Sequence, residues 1–311
     1  DVPEWKTSPS YPPQALFGDI QTVQNDHPGL LDMAAQFPQF DKYITPTITR
    51  ADDPLTAADE SVTTSGTGAT FYGRIAGVGA SVGREAKREY DTYRVAATLD
   101  GEFENGIGWD VGVSWSRNEG ELEGVDAQIG RTKLAFNGFG GENCAADLST
   151  SGVLQTNGAT AGAGDCLYYN PFSNAIPVSN AESTFGVANP SYNAAVANSA
   201  EVLAYLDDTS LTKTQSELLV LDAVFQGEFA GGEAAWAAGY QYRDLEIKSE
   251  LDDLINLNIN PCAFVGQTDC AGQTGLRSFL SGGRPVDTGQ DVHAFFFETA
   301  MNMSENLDVQ L

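Results

Sequence analysis

Basic side chains are scarce in this chain of 311 residues, with 16 Lys and Arg against 43 Asp and Glu and a formal net charge of -27. Nucleic acid is therefore a poor partner, and anionic lipid head groups are repelled, because both bind through clustered cations. Histidine occurs only at His27 and His293, and the four cysteines have neither C-x2-C nor Cys/His spacing, so no zinc ligand set or other cofactor site stands out. No apolar run reaches the roughly 20 residues that a membrane-spanning helix needs, which excludes a helical membrane protein. The start lacks a basic segment followed by an apolar core, so a signal peptide is either removed or lies outside this segment. Intrinsic disorder does not fit a chain that is 41% hydrophobic and only 19% charged.

What is present begins with glycine: 33 of them, against 13 prolines, point to many turns and close backbone approaches. The cysteines form two local groups, Cys144 with Cys166 and Cys262 with Cys270, each in a stretch rich in Gly, Asn, Asp and Thr. Disulfides stapling exposed loops are the favoured reading, with unpaired small hydrophobes as the alternative. Such bonds form in oxidising places such as the periplasm or cell surface.

Two-residue alternation is the strongest signal. Tyr93, Val95, Ala97, Leu99, Gly101 and Phe103 share one face, and Thr92, Arg94, Ala96, Thr98, Asp100 and Glu102 the other. After Glu104-Asn105-Gly106, the residues Ile107, Trp109, Val111, Val113 and Trp115 alternate with polar or small ones, which predicts a hairpin. Leu219 to Phe229, Ala230-Gly231-Gly232 and Trp236 to Tyr242 repeat the design. A third hairpin starts near Asp291, turns at Ser304-Glu305-Asn306 and runs toward Leu311. The hairpins are expected at 92–118, 214–248 and 290–311. Between them lie a loop region at 1–91, a long loop at 119–213 and another at 249–289. Short helices are expected at Pro28 to Phe37, at Ala200 to Leu206 capped by Ser199 or Asn198, and at Leu251 to Leu257, with a strand extension at Phe71 to Val82.

Long loops at one end and tight turns at the other are the plan of an outer-membrane barrel. Tyr93 to Phe103 spans roughly 33 Å along a strand, and a tilt near 40° brings this to about 25 Å, the height of a barrel's apolar band. Aromatic rings stand at both ends of that strand. The expected class is all-β: an antiparallel transmembrane β-barrel segment with long extracellular loops, an incomplete barrel. Arg94, Asp100, Glu102, Asp110 and Arg243 then face the lumen. The alternative is a soluble β-sandwich with one face buried, which predicts the same alternation but not the aromatic ends.

Chemical motifs carry little. Gly79-Ala80-Ser81-Val82-Gly83 fits the G-x-S-x-G elbow of hydrolases, but a charged stretch and not an apolar helix follows it. Ser210-Leu211-Thr212-Lys213 matches S-x-x-K without its companion motifs. Asp207-Asp208 and Asp252-Asp253 could offer oxygens to calcium, though solvated loop charge explains them. No catalytic residues and no metal ligands are assigned, and an enzyme is not expected.

The loops carry a resemblance. Phe139-Gly140-Gly141-Glu142-Asn143-Cys144, the run from Gly164 through Cys166, Tyr168, Tyr169, Asn170, Pro171 and Phe172 to Ile176, and Asn260-Pro261-Cys262 resemble the disulfide-bearing extracellular loops of TonB-dependent outer-membrane receptors. So do the strand segments Glu89 to Arg94 and Asp291 to Phe296. The resemblance runs from about Pro28 to Leu311. It implies a barrel of about 22 strands closed by a plug, embedded in outer-membrane lipid and driven by TonB. Such a receptor imports a scarce nutrient: a ferric siderophore, cobalamin or an oligosaccharide. Against that plan, about five strands and the start of a sixth are visible, without a plug or a TonB-contacting segment, so a fragment is expected. Tyr168, Tyr169 and Phe172 are candidate ligand contacts, with packing of the loop onto itself as the alternative. The competing functional reading is a secreted acidic β-rich binding or adhesion module. A secreted hydrolase rests on Ser81 alone.

Overall fold

Strands that alternate every second residue need neighbours to satisfy their backbone groups, and here each finds them in the next strand along the chain. The computed structural model describes residues 4–6, 22–44, 48–49, 63–64, 68–70, 85–178, 186–277, 282–304 and 307–310. Its main sheet is β1 (Glu4–Lys6), β2 (Glu85–Glu102), β3 (Gly108–Ala127), β4 (Asp207–Phe229), β5 (Ala234–Leu251), β6 (Val286–Ser304) and β7 (Leu307–Gln310), side by side in that order. Every neighbouring pair is antiparallel. The sheet curls into a half-barrel.

The five long strands hold 18 to 23 residues each, about 60 to 75 Å at about 3.3 Å per residue. This corrects the boundaries expected from alternation. Segments 119–127 and 207–213, assigned above to a long loop, are strand, and so are 85–91, 249–251 and 286–289. The reason is that polar residues and glycines prevail on both faces of these extensions, with Leu122, Val125 and Leu211 isolated among them, so the alternation of apolar residues fades while the ladder continues. Phe71 to Val82, the Gly79-to-Gly83 motif and two residues of the Ser304-Glu305-Asn306 turn lie outside the described residues.

Short turns close one end of the sheet. Gly106, at φ 81°, donates its N–H to Phe103 O at 2.9 Å between β2 and β3. Gly231 and Gly232, at φ 75° and 95°, turn β4 into β5, in a region of backbone space that side chains resist. The long connections, 7–84, 128–206 and 252–285, all leave from the opposite end.

Those connections hold the buried core. One apolar cluster joins Val23, Leu30, Phe136, Tyr169, Val202 and Leu206, and a second joins Leu134, Phe139, Ala146 and Cys166. Three helices contribute: α1 (Pro28–Gln36), α2 (Ile129–Phe136) and α3 (Ala200–Leu206). α1 buries Leu30, Met33 and Ala34, and α3 buries Val202, Tyr205 and Leu206, the spacing of one helical face. α3 has the cap expected of it, Ser199 Oγ accepting from Val202 N–H at 3.2 Å. α2 was not anticipated. It ends on Gly138, whose φ of 81° lets Phe139 N–H return to Leu134 O at 2.8 Å. The helix expected at Leu251 to Leu257 is instead a strand end followed by a single turn, Asp253–Ile255. Asp252 spends its carboxylate on Leu211 N–H, which ends the strand before a helix can start.

Asparagines frame this assembly of the long connections, the cap. Asn170 Nδ2 donates to Asn174 Oδ1 at 3.0 Å and to Val196 O at 2.8 Å, while Asn174 and Asn193 donate to Asp32 at 2.8 and 2.7 Å. The Asn174 hydrogen bond above all, helped by Asn193 and Gln36, holds the Asp32 carboxyl below its ordinary range despite partial desolvation. Gly29 lies flat on the Asn170 amide, and a Cβ there would fall 2.3 Å from it.

Candidate functional site

Register assigns every strand residue to one of two faces. Pairs such as Val95 with Trp115, Trp115 with Leu219, Leu221 with Tyr242 and Tyr242 with His293 stand on the same side. This face carries Val95, Leu99, Trp109, Val113, Trp115, Leu221, Phe225, Trp236, Tyr240, Phe295 and Phe297 as one uncharged surface across β2 to β6. It is open: Phe295 is 79% exposed, Val95 67% and Phe297 68%. A soluble sheet this large hides one face under a second layer. Here the buried apolar residues lie almost entirely in the loops.

Toward the loop end the same face changes abruptly. The next level holds Arg117, Glu217, Asp244 and Asp291, directly beyond Trp115, Leu219, Tyr242 and His293. Arg117 pairs with Glu119 and with Glu217 at 3.3 Å, Lys213 with Glu121 at 2.9 Å, and His293 Nε2 lies 3.7 Å from Asp291. His293 also meets the Tyr240 hydroxyl at 2.7 Å, on the border between apolar band and charged belt.

The opposite face carries the five residues expected to face a lumen. Arg94, Asp100, Glu102, Asp110 and Arg243 all share it, with Asp100 and Asp110 directly opposed. Near the short turns Glu102, Gln226, Glu228 and Glu298 line a groove of about 740 Å³.

In the loops the expected disulfides are formed, Cys144 with Cys166 and Cys262 with Cys270. The three aromatic candidates pack into the cap. Tyr169 is 3% exposed, with its ring 5.2 Å from that of Phe136. Tyr168 fills the space left by Gly138 and Gly162, and Phe172 leans on the first apolar cluster. Both rings meet His27 edge-on, at 4.8 and 6.1 Å. His27, which the sequence offers only as a histidine without metal-like neighbours, is fully buried. Its Nδ1 accepts from Gly29 N–H and its Nε2 lies 3.1 Å from Tyr169 O. Burial pushes its pKa down to about 4. A single histidine among loop residues carries no pattern that could have announced this.

Arg277 was also missed. It is buried, and its Nη2 donates to Gly124 O on β3 and Asp208 O on β4, both at 2.9 Å, so the second long loop is tied to the top of two strands. Between the two disulfide loops lies a cleft of about 350 Å³, bordered by Arg131, Glu142, Asp147, Tyr205, Phe264 and Val265.

The S-x-x-K run has no catalytic geometry. Ser210 is buried with its hydroxyl near Gly124 O, and Lys213, an odd number of residues along the strand, points to the other face and pairs with Glu121. The aspartates at 207 and 208 open β4 and are not loop charge. Among the described residues, no group of three or more His, Cys, Asp and Glu is placed to hold a metal ion, and no helix is long and apolar enough to cross a membrane. Comparison with protein-family models, with curated proteins and with solved structures finds no match to this chain.

Proposed function

We propose that this chain is wall and loop structure of an outer-membrane β-barrel that imports a nutrient, of the kind driven by TonB. One observation supports this reading most: an open, uncharged band across five strands that ends at a belt of ion pairs on the same face. Lipid would cover the band and water the belt, while the polar face would line a wet lumen. The long edges of the sheet agree. β2 meets β1 only through residues 85–87, so within the described residues most of its outer edge has no neighbour. Such edges call for more strands of the same wall. The two disulfides fit loops on the outside of a cell.

The test is fluorescence quenching of the intact protein in liposomes made with bromine on the lipid tails. Trp109, Trp115 and Trp236 should be quenched, and each Trp→Phe variant should remove its share. Tryptophans that answer to aqueous acrylamide and not to brominated lipid would overturn the reading in favour of a secreted binding module.

A further inference from the structure

We infer that the cleft between the two disulfide loops binds a neutral polyhydroxylated ligand, a short oligosaccharide in chemical class. This deepens the transporter reading and rests on it. The cleft is joined from both long connections: Arg131, Glu142, Asp147 and Tyr205 come from 128–206, Phe264 and Val265 from 252–285. Its volume of about 350 Å³ stands at the small end of the usual range for small-molecule sites, about 300 to 1,000 Å³. A sugar unit or two can enter, and a corrinoid cannot.

The charges select further. The Arg131 guanidinium already has its counterion, Glu142 at 2.9 Å, and its Nη1 also donates to Tyr205 O at 3.1 Å. Asp147 adds a second carboxylate, so the lining itself carries more negative than positive charge, while the Lys133 ammonium stands outside it over the Phe264 ring, 5.7 Å from the centroid. An anionic ferric chelate would meet no uncommitted cation there, on a chain whose net charge is -27. A purely apolar ligand would desolvate three charged groups without compensation. Hydroxyl groups both donate and accept, so a sugar can take hydrogen bonds from the guanidinium and give them to the carboxylates. The C–H faces of its rings then have Val265, 69% exposed, to cover.

The cleft is also held in shape beforehand. Cys262–Cys270 closes the short loop that presents Phe264 and Val265, and Cys144–Cys166 fixes the segment beside Glu142. Phe264 is seated over Gly152, where a Cβ would fall 2.3 Å from its ring. Rigid walls lower the ordering cost of binding.

Titration calorimetry on the intact protein in detergent tests this, with a panel of neutral trisaccharides (gluco-, xylo-, manno- and galacto-configured) and with ferric citrate as the anionic probe. At least one trisaccharide should bind and ferric citrate should not. Val265→Asp, at a position exposed enough to leave folding intact, should weaken the sugar about tenfold, and so should Phe264→Ala. The inference falls if no trisaccharide binds, if Val265→Asp leaves the affinity unchanged, or if ferric citrate binds in competition with the sugar. Quenching by brominated lipid without sugar binding would remove this inference and leave the transporter reading standing. Sugar binding without quenching would do the reverse.

Discussion

His27 sits where a proton is hard to accommodate. One ring nitrogen caps α1 and the other meets a backbone carbonyl, so a second proton would turn the Gly29 contact from attraction to repulsion. The sign follows from its folded pKa of about 4 against an ordinary 6.5. Above pH 6.5 the stabilisation is complete. As pH falls toward 4 the unfolded cap takes up a proton that the folded cap refuses, and about 3 kcal/mol is lost. Protection factors of α1 amides, that is exchange rates corrected for the intrinsic slowing of exchange in acid, should therefore fall between pH 6.5 and 4. His27→Asn, which keeps a cap acceptor and cannot titrate, should flatten that profile. Gly29 is as constrained for a steric reason. Gly29→Ala would drive a methyl into the Asn170 amide and break bonds to Asn174 and Val196. The expected result is faster proteolysis of the cap at every pH, separable from the His27 effect by its lack of pH dependence.

At the level of elements, cap and sheet are held together by few contacts of high value. Arg277 is the clearest: one side chain donates to a backbone carbonyl on each of two neighbouring strands. Arg277→Met keeps the volume and removes two charge-assisted hydrogen bonds, at a cost of about 3 kcal/mol. Limited proteolysis should then cut within 252–285 well before the strands, and sheet content by circular dichroism should stay unchanged. The elements also show what the sequence could and could not disclose. Hairpins around Trp109 and Trp236 were legible because one face there is apolar throughout. The extensions at 119–127 and 207–213 were not, because polar residues and glycines prevail on both faces there and the few apolar ones show no period. α1 and α3 announced themselves through a proline or serine at the start and an apolar stripe. α2 did not, since Gly130, Arg131 and Lys133 break its stripe and its end depends on the conformation of Gly138. The aromatic run at Tyr168, Tyr169 and Phe172 was visible, but the direction each ring takes depends on glycines and a histidine far away in sequence.

Taken as a whole, the molecule divides into a sheet with almost no buried core and a cap with nearly all of it. A sheet in that condition must find its apolar partner elsewhere, which is why lipid contact is the observation to seek first. The cleft lies in the cap, away from the band, so binding and membrane insertion can be measured separately.

The strands outrun the apolar band by some distance. From Arg117 to Ala127 is ten steps along β3, about 33 Å along the strand and about 25 Å in height at a barrel's tilt. With the band in a bilayer, the cap would be raised on a polar stem well clear of the lipid surface. Its disulfide loops would then be the part of the protein that an antibody, a phage or a competing cell meets first, and on intact cells they should label with antibody while the band stays hidden.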